Sequence, residues 1–361
     1  MKLDQIDWKT VRRVLVVRLR SIGDAVLATP SLIALRRFLP EAQIDILLED
    51  WLAPLLDGFD SVDNVISVKK GSLSRFATML RLRRENYDVA FNLHGGTTST
   101  FFAVGSGARH RIGYEEYRYS FLYNHAYTSS ADFWGREKTH SAEQQLALLG
   151  FTGVPVKDKP RSMLVASPDA AISLAAKFAQ KAKVGLDGFG RFALFHPAAA
   201  FATKQWDTEN FARTAEFLAE KGLNTVAVAA PHESGVLKDL SALAPVVTFD
   251  DLSLPEITAL ASKATVFVGN DSGIAHIAAA VNTPTVVIFG SSNRNHWRPW
   301  TDAPNEIVFE EFHCQPCAGR ECKEFGEPRC ILGVKREQVE AAIEKVLTEK
   351  QNGERLAPAI S

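Results

Sequence analysis

The sequence predicts an α/β protein made of two doubly wound, Rossmann-like domains. Three observations support this prediction. The chain has 361 residues, and domains commonly contain about 150 residues. Short, almost wholly apolar runs alternate with helical patterns in both halves, which is typical of βαβ units around a buried parallel sheet. Residues 151–190 interrupt this alternation with a linker and an Ala- and Lys-rich helix, which we interpret as the start of a second domain.

The first predicted domain covers residues 1–165 and opens with the apolar run 14–17 between arginines. A run without alternation suits a strand that is buried on both faces. The helix that follows contains Pro30, so it either kinks there or restarts with Thr29 as its cap. The other predicted strands are 44–48, 64–68 and 89–93, and the other predicted helices are 51–56 and 74–84.

The second predicted domain covers residues 166–334 and repeats the same alternation. It ends in a cysteine-containing loop, residues 313–330, and a third segment, 335–361, is predicted as a helix to about residue 347 followed by a frayed tail. The predicted strands are 191–195, 225–229, 246–249, 265–268 and 285–289, and the predicted helices are 208–220, 234–243, 255–262 and 274–280.

Composition and charge narrow the class of protein. The chain is 46% hydrophobic and has a formal net charge of −1, so it lacks the basic excess that a general nucleic-acid binder needs. It contains no run of about 20 apolar residues, which argues against a transmembrane helix. The first residues, MKLDQIDWKT, form no apolar signal segment. We therefore expect a cytoplasmic protein that does not bind nucleic acid.

Several motifs of nucleotide-binding and hydrolytic enzymes are absent. No G-x-G-x-x-G follows the first strand and no G-x-x-x-x-G-K-[ST] occurs, which argues against a dinucleotide dehydrogenase and a P-loop NTPase. The G-x-S-x-G of hydrolases is missing as well. The sequence also lacks an Asp-x-Asp pair of the kind that holds a divalent ion on a nucleotide sugar.

The turn after the first strand is the first candidate site. It contains Arg20, Ser21, Gly23 and Asp24, at the carboxyl end of a strand, where open α/β sheets bind ligands. Gly23 allows the backbone to pass close to a ligand, and Asp24 would face that ligand. Alternatively, Asp24 is a helix N-cap or a first-turn acid that the helix dipole favours. The spacing of the residues leaves both interpretations open.

Two loops of the second domain are further candidates. Lys204 follows the strand 191–195, where a lysine can neutralise charge on a departing phosphate; the alternative is a solvated surface lysine. The segment Gly269–His276 follows the strand 265–268, and amides at a helix N-terminus with Ser and Gly form a phosphate site. In the alternative interpretation Asp271 is an N-cap and His276 is a core histidine.

Together these segments resemble glycosyltransferase family 9, the ADP-heptose:lipopolysaccharide heptosyltransferases. The likeness covers roughly residues 11 to 348. The segments that carry it are Arg18–Asp24, Tyr87–His94, Arg111–Tyr114 and Asn270–Gly273 with His276, followed by Pro284 and by Phe289–Gly290.

The resemblance implies a GT-B architecture, with two Rossmann-like domains facing across a cleft. The first domain would bind a lipid-linked acceptor and the second an ADP-sugar. The resemblance identifies Asp24 as the catalytic base and Lys204 as the residue that stabilises the leaving group. The implied donor-binding residues are Thr203, Lys204, Glu233, Asp271, Ser272, Gly273 and His276, and the implied acceptor-binding residues are Arg20, Ser21, Gly23, His94 and Arg111.

The implied function is an inverting transfer of heptose from ADP-heptose to a lipopolysaccharide inner-core acceptor of the Kdo-lipid A type. It would need no metal or other cofactor, with ADP-heptose as co-substrate. The basic clusters of the first domain favour contact with anionic sugars or with the cytoplasmic face of the inner membrane, although most such clusters are solvated helix faces. The alternatives are another nucleotide sugar as donor, or a non-catalytic module that binds nucleotide sugars.

The only cysteines of the chain are clustered as Cys314, Cys317, Cys322 and Cys330, with His313 beside the first. Such clustering in a reducing compartment favours a small structural Zn²⁺ knuckle. The irregular spacing favours instead a loop of reduced thiols that pack as small hydrophobes. Both interpretations remain open, and neither gives these residues a catalytic role.

Overall fold

The computed structural model describes residues 5–317 and 319–356 of the chain. The chain forms two compact units, and the division between them falls between Ser162 and Met163, a few residues before the boundary predicted after residue 165. Each unit is an α/β domain around one six-stranded parallel sheet.

The first unit has the strand order β3-β2-β1-β4-β5-β6. Strand β1 lies in the middle, where Val17 pairs with Leu47 on one side and Asn92 on the other. The strands are β1 (Arg13–Val17), β2 (Gln43–Glu49), β3 (Asn64–Val68), β4 (Val89–Asn92), β5 (His110–Tyr114) and β6 (His125–Tyr127). The helices are α1 (Ile22–Val26), α2 (Thr29–Phe38), α3 (Ser72–Arg84), α4 (Thr97–Gly105), α5 (Ser130–Trp134) and α6 (Ser141–Gly150).

The second unit has the order β12-β11-β10-β7-β8-β9, which is the same arrangement when counted from its own first strand. The strands are β7 (Phe192–His196), β8 (Asn224–Val228), β9 (Val247–Phe249), β10 (Val266–Asn270), β11 (Thr285–Phe289) and β12 (Asn305–Phe309). The helices are α7 (Pro168–Ala182), α8 (Thr208–Glu220), α9 (Ser234–Leu243), α10 (Leu254–Lys263), α11 (Gly273–Ala280), α12 (Arg294–Trp297), α13 (Arg329–Leu332) and α14 (Arg336–Leu356).

Burial explains why the central strands read as continuous apolar runs. Every residue of β7, β10 and β11 is buried, because helices cover both faces of a doubly wound sheet. Three strands were not predicted: β5, β6 and β12. Their sequences, HRIGY, HAY and NEIVF, contain polar residues, and β6 and β12 are edge strands.

The helix after β1 restarts, as one of the two predicted alternatives held. Helix α1 ends at Val26 and α2 begins at Thr29. Thr29 is not the cap, however, because Ala28 occupies that position and the Thr29 hydroxyl donates to the carbonyl of Val26 at 2.7 Å. Residues 53–56 form a 3₁₀ turn in place of the predicted helix.

The last helix belongs to the second unit and is longer than predicted. It reaches Leu356 instead of ending near residue 347, and Val339, Ile343 and Val346 lie in the hydrophobic core of that unit. The rest of the predicted frayed tail, residues 357–361, lies outside the described residues. Within the part of the chain that is described, no helix combines the length and apolar character needed to span a bilayer.

Candidate active site

Each sheet reverses its strand order at one point, and most of the sequence-predicted site residues follow the strands on either side of it. In the first unit the reversal lies between β1 and β4, and in the second between β7 and β10. Ligands of open α/β sheets bind at such points, beyond the carboxyl ends of the strands. The turn after β1, the loop after β7 and the segment after β10 all occupy this position.

In the first unit, Asp24 forms an ion pair with Arg18. Arg18 directly follows β1 and lies close to Asp24 in the first turn of α1. Nη1 of Arg18 also donates to the carbonyl of Leu93 after β4. One guanidinium thus fixes the carboxylate to the ends of both central strands. The sequence prediction did not include Arg18, although its place immediately after a buried strand is a usable signal.

The turn around Asp24 has a backbone shape that suits a close ligand. Ser21 has a positive φ of 77°, which is uncommon for a residue other than glycine and marks a constrained turn. Gly23 is buried, whereas Arg20 and Ser21 are exposed. Arg20, Ser21 and Gly23 thus lie in the same turn as Asp24.

His94 lies in the same electrostatic environment. Burial lowers its pKa to about 4, and Arg18 acts in the same direction while Asp24 opposes it. The imidazole is therefore neutral at neutral pH. Its Nδ1 is buried and has no hydrogen-bond partner among residues 5–317 and 319–356. A neutral ring beside a carboxylate is able to bind a sugar hydroxyl.

Tyr117 completes this group and was missed by the sequence reasoning. Burial raises the pKa of its phenol; the charge of Arg18 lowers that pKa and the charge of Asp24 raises it. Its ring packs against the backbone of Gly95, just after β4, so closely that a Cβ added at Gly95 would lie 2.6 Å from the ring. Its signal was weak, a tyrosine in a loop after the unpredicted strand β5.

Arg111 lies apart from these residues. It is the second residue of β5, near the amino end of that strand. Its side chain donates to the carbonyls of Ala108 at 2.9 Å and Leu122 at 3.2 Å. These bonds engage the guanidinium with its own unit, at the edge of the sheet opposite to Asp24.

In the second unit, Lys204 and Asp271 form an ion pair after β10. Lys204 Nζ lies 2.8 Å from Oδ2 of Asp271, and the side chains are 23% and 6% exposed. The hydroxyl of Ser292 donates to the same carboxylate oxygen. The buried carboxylate therefore holds the lysine in one place, with its ammonium partly open to solvent. A phosphate placed there would meet a positioned cation.

The loop that carries Lys204 is fixed by backbone and side-chain contacts. Thr203 is buried, and its hydroxyl donates to the carbonyl of Gly319 at 3.0 Å and accepts from Ser291. A Cβ at Gly290 would lie 2.2 Å from the Thr203 carbonyl, so only glycine fits. Thr203 thus positions its neighbour, and its hydroxyl is engaged within the second unit.

Asn270 joins this loop to the end of β10. Its amide donates to the carbonyl of Pro197 at 2.9 Å and accepts from the backbone N–H of Trp206 at 3.1 Å. Trp206 is fully buried, and its indole donates to Val334. The core of the second unit therefore extends directly into the loop.

The remaining predicted donor residues follow β10 and β8. Ser272 and Nδ1 of His196 are 3.1 Å apart, and Gly273 begins α11. Burial lowers the pKa of His196 to about 4, while Glu233 acts to raise it. Glu233 itself accepts from the backbone N–H of Ala230. His276 is buried within α11.

The cysteine-containing loop contacts the turn after β11, and through the carbonyl of Gly319 it also contacts Thr203 of the Lys204 loop. Gln315 Nε2 donates to the carbonyl of Gly290 at 2.6 Å, and the N–H of Cys317 donates to that of Ser291 at 2.9 Å. All four cysteines are free thiols, and burial, followed by the other three cysteines, raises the pKa of Cys330. In the described ranges, no three His, Cys, Asp or Glu side chains are arranged to hold a metal ion.

Comparison with known proteins identifies relatives of the whole chain. The family model "Glycosyltransferase family 9 (heptosyltransferase)" matches residues 75–326. The chain is 28% identical over 354 residues to lipopolysaccharide heptosyltransferase 3 of Escherichia coli (strain K12), covering 92% of this chain and 97% of that protein.

Two solved structures share the fold. The E. coli ADP-heptose lps heptosyltransferase II has a TM-score of 0.77 and 20% identity, covering 94% of this chain and 99% of that one. The E. coli heptosyltransferase WaaC with ADP has a TM-score of 0.69 and 21% identity, covering 92% and 99%. This similarity establishes the fold as GT-B.

Proposed function

The chain belongs to glycosyltransferase family 9, and on that premise we propose that it transfers a heptose from ADP-heptose to a lipopolysaccharide inner-core acceptor of the Kdo-lipid A type. The observation that carries the proposal is the Lys204–Asp271 ion pair, 2.8 Å long, after β10. The names of the similar proteins support heptose as the sugar, and the solved structure of WaaC, which shares the fold, is of that enzyme with ADP.

The donor is bound by the second unit. Lys204 contacts the pyrophosphate of ADP and stabilises the negative charge that grows on it as the sugar leaves. The backbone amides at Ser272 and Gly273 hold the same phosphates at the start of α11. Asp271 keeps the lysine in place and, with His276 and Glu233, contributes to the donor site. Because a lysine provides the positive charge, the reaction needs no divalent ion.

The acceptor is bound by the first unit. Asp24 takes the proton from an acceptor hydroxyl as that oxygen attacks the anomeric carbon. The bond between that carbon and the phosphate oxygen breaks, ADP leaves with the electron pair, and the configuration inverts. His94, Arg20 and Ser21 orient the acceptor around the carboxylate. A lipid-linked acceptor places this reaction at the cytoplasmic face of the inner membrane.

The test is a transfer assay with purified protein. ADP-heptose is incubated with and without Kdo-lipid A, and release of ADP and the mass of the lipid product are recorded. We expect ADP only when the acceptor is present, and unchanged activity after EDTA. Product formed only from another nucleotide sugar would replace heptose with that sugar, and donor binding without any transfer would favour a non-catalytic module.

Elemental analysis of fresh, untagged protein tests the cysteine loop separately. A structural zinc knuckle would be established by two results together. The wild type would contain about one zinc per chain, and Cys317→Ser would lose that zinc and melt at a lower temperature. Absence of metal would favour the reduced thiols.

A further inference from the structure

Helix α3 of the first unit exposes its apolar residues instead of burying them. Among its side chains only Leu82 is buried, whereas Leu73, Phe76 and Leu80 are 86%, 56% and 40% exposed. At about 100° per residue these three positions share one helix face. That face is opposite to the one through which Leu82 joins the core. We call these three residues the α3 stripe.

A second exposed apolar group lies on the same side of the sheet. Phe101 of α4 and Phe121 are 54% and 79% exposed, and Tyr119 joins them with ring centroids 6.0 and 6.3 Å away. Helix α4 packs beside α3, where a Cβ at Gly105 would lie 2.4 Å from the Met79 side chain. Its Phe102 lies in the same core cluster as Leu82.

Both groups lie towards the carboxyl edge of the sheet. The stripe begins in the first turn of α3, shortly after β3 ends, and Phe101 lies in the middle of α4, the short helix that follows β4. Tyr119 and Phe121 follow β5. This is the edge that carries Asp24 and His94. Single exposed apolar residues are ordinary, but clusters of them mark interaction surfaces.

The charged residues of α3 and of the turn just before it are all positive. Residues 69–84 contain no Asp or Glu, and none of their basic side chains has an ion-pair partner within the described parts of the chain. The basic residues are Lys69, Lys70, Arg75, Arg81, Arg83 and Arg84. An apolar face flanked by Lys and Arg is the pattern of a helix that lies in the interface of an anionic bilayer. A protein partner would need acidic groups arranged to match.

We propose that the α3 stripe and the aromatic group dock the first unit onto an anionic lipid bilayer. The apolar side chains enter the boundary between headgroups and acyl chains, and the basic residues contact lipid phosphates. The inference rests on the proposed function in one respect, that a lipid-linked acceptor makes such docking useful. The bilayer then presents the acceptor at the edge of the sheet that carries Asp24.

The experiment measures binding of the full chain to sedimented vesicles, either rich in phosphatidylglycerol or made of phosphatidylcholine alone. We expect binding to the anionic vesicles, reduced about tenfold or more in Leu73→Ser/Phe76→Ser and about fivefold for each charge removed in Arg75→Gln/Arg84→Gln. The matched control is Ile172→Ser, which removes a 70% exposed apolar side chain from α7 and should leave binding unchanged. High salt should weaken the charged contribution and spare the apolar one.

Equal binding by the wild type, Leu73→Ser/Phe76→Ser and Ile172→Ser would overturn the proposal. So would a lipid-free dimer, seen by analytical ultracentrifugation, that the Leu73→Ser/Phe76→Ser variant abolishes, since the surface would then join two copies. Transfer to a deacylated, soluble acceptor separates this proposal from the proposed function. We expect Leu73→Ser/Phe76→Ser to retain transfer to the soluble acceptor. If the wild type transfers heptose but binds no vesicles, the docking proposal is refuted and the proposed function is not.

Discussion

The two units have the same strand order, yet their ion pairs expose opposite charges. In the first unit Arg18 is 9% exposed and Asp24 18%; in the second Lys204 is 23% exposed and Asp271 6%. The more accessible partner is thus an acid in one unit and a cation in the other. Under the proposed function, the same fold position serves a proton acceptor in one unit and a phosphate ligand in the other.

The largest expected effect comes from removing the accessible acid. Asp24→Asn should lower kcat by roughly 10²-fold or more, because a general base is lost, while the affinity for ADP measured by calorimetry stays the same. Asp63→Asn, which disrupts a surface ion pair with Arg36, is the control and should retain kcat. Near-normal turnover in Asp24→Asn would make Asp24 a structural acid and remove the contrast between the units.

Removing the accessible cation should act on the donor. Lys204→Ala is expected to weaken ADP binding by about 10- to 100-fold, as expected for a lost charge-assisted hydrogen bond, and to lower kcat as well. Lys221→Ala removes an exposed lysine that is paired with Glu344 and should change neither value. If calorimetry gives the same ADP affinity for the wild type and for Lys204→Ala, the phosphate site lies elsewhere.

A smaller effect is expected from disturbing the loop that carries the cation. Gly290→Ala places a Cβ 2.2 Å from the Thr203 carbonyl, so we expect a loss of about 1–3 kcal/mol in the free energy of unfolding and weaker ADP binding. In Gly235→Ala the added Cβ meets no atom within 4 Å, and helix α9 should be unchanged or slightly stabilised. Denaturant unfolding of both variants measures the difference. Equal stability of the two variants would show that the loop rearranges to accommodate the added methyl group.

The smallest effect concerns the histidines, which are alike in the two units. The pKa values of His94 and His196 fall from 6.5 to about 4 in the folded protein. The unfolded chain therefore binds more protons between these pH values, and stability is lost as the pH falls through this range. We expect the melting temperature to drop from pH 7 to pH 5, and to drop less in His94→Gln and His196→Gln. An equally steep profile in both variants would assign the pH dependence to other groups.

The sequence grouped the candidate residues of the second unit more completely than those of the first. The residues from Asn270 to His276 are contiguous and directly follow an apolar strand, so their grouping could be recognised from the sequence alone. Arg18 forms an ion pair with Asp24, and the charge of Asp24 affects the pKa of Tyr117 from a distant segment of the chain. A local sequence pattern does not contain such relations. Arg111 was grouped by resemblance, yet the direction of β5 places it at the opposite edge.

The cysteine loop shows a second limit of sequence reasoning. Its thiols suggested a metal or a passive core, whereas the Gln315 amide and backbone groups make its contacts with the turn after β11 and with Thr203. Backbone hydrogen bonds depend on chain path and leave little trace in residue identity. For α3 the sequence predicted the helix but not its exposed apolar surface, because periodicity does not say which face of a helix packs on the sheet.

The contacts of Gln315, Cys317 and Gly319 with residues 203 and 290–291 have a consequence for protein engineering. The loop that carries Lys204 cannot be exchanged by itself. A chimera that receives the segment around Lys204 from a relative with a different cysteine region loses the partners of Thr203, Gly290 and Ser291. Under the proposed function, transplanting donor preference into or out of this chain requires the exchange of three separate segments together: the loop after β7, the turn after β11 and the stretch from residue 313 to 330.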